Sequence, residues 1–496
     1  MSEPMKRPNI VFILTDDQGY WSLGCYGNKE IKTPNLDRLA KSGMRFDNFY
    51  CASPVCSPAR ASIFTGHIPS RHGVRDWIHS GHVDESQLDE ELLKQIYNPD
   101  SPKEYQQAKG QLKGDAAIDY IAGETCYTDL LAEAGYTCGL SGKWHLGDSG
   151  HPRAGFSYWK TIAMGGDNYF YPTVLQDGRF RMMRNTYLTD YITDNALEFM
   201  DSCKDSDHPF YLSVHYTAPH SPWNKDQHPE RIYQQYENCP FESVPNLPAH
   251  PWSIYHRKSM AEFAEFRRTC LKGYYAAVTA MDENVGRLLD YLEDHNLLED
   301  TIIFFTGDNG MNMGHHGIIG KGNGTYPLNM YETSVRVPAL VSWKGKIAPE
   351  STSDALLSHY DIFPTLADLL DLPAPDDSLP GNSFAAVLRG QPLNQDSSVV
   401  IYDEYGATRM IRSRQWKYIR RYPDGPNELY HLLTDPDELR NLADAPYAQP
   451  VCEQLEAQME EWFSRYNCPE KDGKNAPVTG LGQTGLNSFA PFTPYD

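Results

Sequence analysis

The chain has 496 residues, 40% of them apolar, and a formal net charge of −22 at neutral pH. That length supports a large core plus a second domain. The charge opposes nucleic acid, anionic membrane and long polyanions as partners, but a local basic pocket would still take a small anion. No apolar run approaches a membrane span.

The opening "MSEPMKRPNIVFILTDD" carries an apolar run of only five residues that ends in acids. This pattern predicts a strand at 9–15 rather than an export signal. Ten cysteines without zinc spacing are then expected to be reduced thiols in a cytoplasmic protein. The strand at 9–15 runs into Asp16 and Asp17, and "TPNLDRLAKSG" (33–43) follows as an amphipathic helix. "VCSPARASIFTG" (55–66) predicts a short helix over 57–65, with Ser57 as N-cap, Pro58 in its first turn and Gly66 as C-cap. Cys56 would sit just outside the positive end of that helix. It is either a buried thiol or a nucleophile facing an anionic substrate.

Residues 78–120 are polar and acidic and resemble an insertion. A helix at 126–135 leads to a strand at 136–142, which delivers Lys143 and His145. The strand at 210–216 delivers His220, and a second insertion, 221–258, is rich in proline, aromatics and histidine. A helix at 271–295 precedes a strand at 301–307 that ends in Asp308 and Asn309. "HHGIIGKGNGTY" follows, with His316 and Lys321, and a further strand is expected at 338–343. Alternating strands and helices predict an α/β fold, a large mixed and mostly parallel sheet flanked by helices. After residue 393 the texture changes to antiparallel strands with tight turns, a helix at about 447–466 and an irregular tail, 467–496. The expected division is therefore 1–393 and 394–496.

In open parallel sheets ligands bind beyond the carboxyl ends of the strands. Four predicted strands deliver charged or imidazole groups there. Asp16, Asp17, Asp308 and the Asn309 amide offer oxygen ligands only, a set suited to Ca²⁺ or Mg²⁺ and not to zinc. Three carboxylates balance Arg60, Lys143 and Lys321. A divalent metal would leave the pocket at +2, which favours a small anion.

Cys56-Ser57-Pro58-Ala59-Arg60 resembles the C-x-P-x-R signature of type I sulfatases, members of the alkaline phosphatase superfamily. "PNIVFILTDDQG", "TPNLDRLAKSGMRFDNFY", "GYTCGLSGKWHLG", "TGDNG", "GKGNGTY" and "SHYDIFPTLADLLDL" resemble further blocks of that family, in its order, over about residues 8–440. The resemblance implies hydrolysis of sulfate monoesters and conversion of Cys56 to formylglycine by a maturation enzyme that reads the pentapeptide. The hydrated aldehyde would be the nucleophile; it would hold a covalent sulfate and expel it by collapsing back. The resemblance assigns a divalent metal, usually Ca²⁺, to Asp16, Asp17, Asp308 and Asn309. Arg60 and Lys143 would stabilise the formylglycine, and His145 would take the proton when the aldehyde reforms. Lys143, His220 and Lys321 would neutralise sulfate oxygens, with His220 or Lys321 protonating the leaving alcohol. His316 lies where some members touch substrate, whereas His215 and His315 fit ordinary packing.

The alternatives are a phosphonate monoester or phosphodiester hydrolase of the same superfamily, and a non-catalytic binding protein if Cys56 is not matured. The first tends to carry "DQ" and "DH" at the metal positions and to lack "GKWH", unlike this chain. Among substrates, the long loops favour a small sulfated carbohydrate attacked from its end. Trp77, His79, Trp223, His228, Trp252 and Tyr255 are candidates to contact the sugar. Oligomeric state and ring position are open.

Overall fold

A computed structural model of the chain describes residues 7–112, 116–373, 378–393, 398–402, 406–474, 482–486 and 488–489. Nine strands form the main sheet: β1 (Asn9–Thr15), β2 (Met44–Tyr50), β3 (Thr137–Gly142), β4 (Phe156–Thr161), β5 (Phe210–His215), β6 (Thr301–Gly307), β7 (Arg336–Ser342), β8 (Ser351–Ser353) and β9 (Leu357–Ser358). Their order is β8-β2-β7-β6-β1-β5-β3-β4, with β9 also on β2. Only β7 runs antiparallel to its neighbours; every other pair is parallel. The sheet is thus mostly parallel, as the alternation of elements predicts.

β1 shows why the sheet is central. Ile10, Phe12 and Leu14 enter one apolar core, and Val11 and Ile13 enter the other. Successive side chains point to opposite faces, so a strand buried on both sides reads as a continuous apolar run. On the first face pack the helices Cys56–Thr65, Tyr127–Glu133 and Ile362–Leu369. On the second pack Pro34–Ser42, Leu188–Cys203 and the long helix Met260–Asp294.

Four later strands, β10 (Val399–Tyr402), β11 (Thr408–Arg412), β12 (Trp416–Arg421) and β13 (Glu428–His431), make an antiparallel sheet in sequence order. Val400, Ile411, Tyr418 and Leu429 pack on the helix Gln449–Tyr466. Ile401, Met410, Ile419 and Tyr430 join the core of the main sheet. Fully buried Lys417 ties this sheet to Glu332 (3.2 Å) and Glu438 (2.7 Å). The expected boundary at 393 abuts residues outside the described set.

Several boundaries differ from expectation. The nucleophile helix starts at Cys56, with Val55 as N-cap. Ser57 lies inside the first turn, and its hydroxyl instead accepts from the Ile78 amide (3.1 Å). The helix expected at 271–295 begins at Met260, because Ser259 and Glu262 form a reciprocal capping box. The 78–120 insertion holds the helices Glu90–Tyr97 and Lys103–Gln111. The described residues of the tail include the strand pair Gln483–Gly485 and Ser488–Phe489. All ten cysteines are unpaired, and among the described residues no helix is long and apolar enough to cross a membrane.

Candidate active site

The carboxyl ends of β1 and β6 lie side by side, with Thr15 opposite Gly307. Both strands therefore release their acids at one level. The Asp17 backbone amide donates to Asp308 Oδ1 (3.2 Å), and the Asn309 side-chain Nδ2 donates to Asp17 Oδ1 (2.8 Å). Asp17 takes φ 60°, which turns the chain directly after β1. β3 and β5 bring Lys143 and His220 to the same end.

Each carboxylate has a cation. Lys143 Nζ lies 2.5 Å from Asp16 Oδ2, Lys321 Nζ 2.6 Å from Asp17 Oδ1, and Arg60 Nε 2.8 Å from Asp308 Oδ2. Arg60 Nη1 also donates to Lys143 O (2.9 Å), linking the nucleophile helix to β3. Asp16, Asp308, Asn309, Arg60 and Lys143 are fully buried. Burial pushes Asp16 upward, but Lys143, His220, Lys321 and Arg60 overcome it and hold the carboxyl well below its usual range. Burial, then the like charge of Asp16, push Asp308 up to about 6. Burial works against the Lys321 ammonium, yet Asp17, Cys56, Asp16 and Asp308 hold it well above the ordinary amine range.

The acidic cluster has the donors to hold a metal ion. Asp16 Oδ1 and Asn309 Oδ1 are buried and accept no hydrogen bond, a costly state unless something positive meets them. His220 Nε2 stands 3.7 Å from Asp17 Oδ2. Asp16, Asp17 and His220 offer ligand atoms that all lie within 4.8 Å of one another.

Cys56 opens its helix, 3% exposed, at the floor of a cavity of about 680 Å³. Trp77, Ile78, His145, His220, Lys321, Asn323 and the loop 164–168 form the walls. Burial pushes the Cys56 thiol up, although Lys143 and Lys321 pull it down. An activated cysteine needs the opposite shift, so the unmodified thiol is a poor nucleophile here.

Burial, then Lys143, lower His145 well below the ordinary imidazole range, so its ring is neutral. Ile78 O can only accept, so His145 Nε2 donates to it (3.1 Å). That fixes the tautomer and leaves Nδ1, which has no partner, with a lone pair. His220 Nδ1 donates to Ser221 O (2.7 Å) and turns Nε2 toward Asp17.

Not every expected residue reaches the cavity. Trp223 turns away, donating to Pro219 O (2.8 Å) and packing edge-on against Tyr274. His316 stacks flat on Tyr331 with ring centroids 3.7 Å apart, outside the cavity. Both are spent on packing aromatic neighbours, as are His228 on Tyr169 and Tyr255 on Phe266. Trp252 lies under Arg421. His215 donates to Lys143 O and His315 packs on Trp21.

Sequence reasoning missed the loop 164–168. Its signal was the doublet Gly165-Gly166: a Cβ on Gly165 would land on the His145 ring, and one on Gly166 would stand 3.2 Å from His220 Cε1. Gly165→Ala must therefore displace His145. Turnover is expected to fall roughly 10²-fold, the scale of a 1 Å misplacement, with the melting temperature little changed. Steady-state kinetics beside a thermal melt checks this; unchanged kcat would remove His145 from the chemistry.

Oxygen ligands, three cations and a helix N-terminus converging at the carboxyl edge of a mixed sheet define a hydrolase of anionic esters with an alkaline phosphatase-like fold. Comparison with known proteins narrows the class. The sulfatase family profile matches residues 8–372, and the profile described as "N-sulphoglucosamine sulphohydrolase, C-terminal" matches 325–465. The chain belongs to the sulfatase family and is a sulfuric ester hydrolase. An N-acetylglucosamine-6-O-sulfatase of Bacteroides thetaiotaomicron is 28% identical over 95% of this chain and 89% of its own. An N-acetylgalactosamine-6-sulfatase of Mus musculus is 30% identical over 78% of this chain and 68% of its own. A protein solved in complex with its substrate D-glucosamine-2-N,6-O-disulfate superposes with a TM-score of 0.76, at 26% identity, over 95% of this chain and all of that one. The family generally uses a metal and formylglycine.

Proposed function

We propose that this sulfatase removes a 6-O-sulfate from a small N-acetylhexosamine or a disaccharide bearing it, acting at the chain end. The observation that carries this is the single cavity in which Cys56, Lys321, His220 and Trp77 meet. Its volume of about 680 Å³ lies in the range of small-molecule pockets. The relatives named for 6-sulfated amino sugars support the choice of ester. Beyond Asn168 and Pro222 a second cavity of about 430 Å³ opens, lined by Lys103, Tyr171, Asn224 and Asp226 among others. Residues of both insertions thus supply room and hydrogen-bonding groups for a neighbouring sugar. The net charge of −22 would repel a long sulfated polymer.

Asp16, Asp17, Asp308 and Asn309 hold the metal in this proposal, with His220 beside them, and an all-oxygen set favours Ca²⁺, with Mg²⁺ as the alternative. A maturation enzyme converts Cys56 to formylglycine. When present, these groups supply the hydrated aldehyde nucleophile and positive charge at the sulfate oxygens. The chain does the rest. Lys143 and Lys321 set a positive field around residue 56 that favours an oxyanion there. Buried Arg60 keeps Asp308 fixed. Neutral His145 receives a proton at Nδ1, and His220, a quarter exposed at the cavity wall, faces the leaving alcohol and protonates it.

Initial rates on N-acetylglucosamine 6-sulfate, a sulfated disaccharide and the parent polymer, at equal sulfate and two salt concentrations, test this. The small esters are expected to be faster at both. Equal or faster action on internal sulfates of the polymer would overturn the exo assignment. Sulfate esters are also expected to exceed phosphonate monoesters on a common aryl leaving group; the reverse ranking would favour a phosphonate hydrolase.

A further inference from the structure

The tail beyond the last helix reaches back to the rim of the cavity. Gln483 is fully buried although polar. Its backbone amide donates to Trp77 O (2.8 Å), and its carbonyl accepts from the His79 amide (2.8 Å), a parallel bridge to Ile78. Its side-chain Oε1 accepts from the Arg75 amide (3.1 Å), and Nε2 donates to Gly73 O (3.1 Å). Nε2 also lies within reach of Gly485 O and Leu486 O, which fixes the turn of the tail itself. One residue thus partners four backbone groups between Gly73 and His79. Ser80 Oγ adds a bond to Thr484 O (3.1 Å).

Gly482 completes the contact. It takes φ +81°, and a Cβ there would come within 2.8 Å of Trp77 Cε2 and of Trp77 O. The indole rests directly against the glycine backbone, an approach that no larger residue allows. The inner side of the same rim is bonded to the site. The Ile78 amide donates to Ser57 on the nucleophile helix, and Ile78 O accepts from His145. Trp77 and Ile78 themselves line the cavity.

We propose that residues 482–486 are a strap that completes the substrate pocket, with Gln483 as a positioning residue that sets Trp77 against the sugar. The proposal rests on the reading of the cavity as a sugar-sulfate site. The rim from 73 to 80 belongs to no main-sheet strand, and its ladder bridge is the one Ile78 makes to Gln483. Without the strap its outward amides and carbonyls turn to water, and Trp77 loses the surface it rests on. Stacking depends on a fixed aromatic face, so the loss falls on sugar binding. The sulfate end, held by the strand termini, is affected less.

Two measurements on the full-length enzyme test this. First, hydrogen exchange of Gln483→Ala should show the Arg75 and His79 amides exchanging at least tenfold faster, with the helix Cys56–Thr65 unchanged. This readout needs no substrate, so it separates failure of the strap from failure of the sugar assignment. Unchanged protection at both amides would overturn the strap. Second, Gln483→Ala should raise KM for N-acetylglucosamine 6-sulfate about tenfold, the equivalent of one decade in affinity, with a smaller change in kcat. In a Trp77→Ala background the same substitution should add little, because coupled residues are non-additive. Full additivity, or a fall in kcat with KM unchanged, would show that the tail acts on general stability and not through Trp77. Gly482→Ala, which keeps the Gln483 side chain but presses on both the Trp77 indole and the Trp77 carbonyl that the Gln483 amide binds, should reproduce the KM effect.

Discussion

Replacing Cys56 by alanine or serine is expected to abolish sulfate-ester turnover, by at least roughly 10³-fold, as removal of a nucleophile does in other covalent hydrolases. Cys56 stands at the opening of its helix, on the floor of the cavity, inside the positive field of Lys143 and Lys321. A serine hydroxyl would occupy the same place and be nearly as small. It would still fail, because a serine monoester has no second hydroxyl from which to collapse and release sulfate. Cys56→Ser is therefore expected to be inert while binding sulfated sugar about as well as the parent enzyme. The thiol itself is not the reactive group, since burial pushes it up and leaves it protonated at neutral pH. Mass spectrometry of the peptide carrying residue 56 should show the aldehyde in active preparations, with activity proportional to its fraction. Full activity in a preparation that is wholly cysteine, or wild-type turnover by Cys56→Ala, would remove residue 56 from the chemistry.

Much of this site was legible in the sequence because strand ends are legible. β1, β3, β5 and β6 are apolar runs bounded by polar residues, and a parallel sheet places all their carboxyl ends on one edge. Asp16, Lys143, His220 and Asp308 converge for that reason. The helix ends were less clear. Ser57 has the chemistry of an N-cap, but the competing Ile78 amide takes its hydroxyl, and the helix starts two residues earlier than a cap at Ser57 would allow. The walls were hardest. Gly165 and Gly166 contribute by lacking side chains, so they carry no chemical signal until His145 and His220 are seen against them. Trp223 and His316 show the converse error. Aromatic residues in long loops suggest a sugar platform, yet both find buried aromatic partners, Tyr274 and Tyr331, and hydrophobic packing takes precedence over exposure. The role of Gln483 depends on a contact spanning some four hundred residues, which no local pattern encodes.

Asp308→Asn is expected to lose at least roughly 10²-fold in turnover, the scale of losing one charged group that stabilises the transition state, and to lose the response to Ca²⁺. The argument is one of charge. Asp16, Asp17 and Asp308 are matched one to one by Lys143, Lys321 and Arg60, so the protein groups alone are near neutral and offer a sulfate little attraction. A divalent cation held by these oxygens would make the site net positive, so metal and anion are expected to bind cooperatively. Asparagine keeps the shape of residue 308 but withdraws one negative charge from the cation. It also leaves Arg60, fully buried and with Nη2 already unpartnered, without its carboxylate. Some loss of stability is therefore expected beside the loss of activity, since an uncompensated buried charge is costly. Ligand linkage separates the two effects. A cation that binds only the folded state stabilises it by about 2.7 kcal/mol at a hundredfold excess over its dissociation constant. The melting temperature of the parent enzyme should rise with Ca²⁺ and rise further with added sulfate. That of Asp308→Asn should start lower and respond to neither. If exhaustive chelation left the parent fully active and Ca²⁺ left its melting temperature unmoved, Asp16, Asp17, Asp308 and Asn309 would be a self-neutralised cluster, and the positive charge at the sulfate would have to come from Lys143 and Lys321 alone.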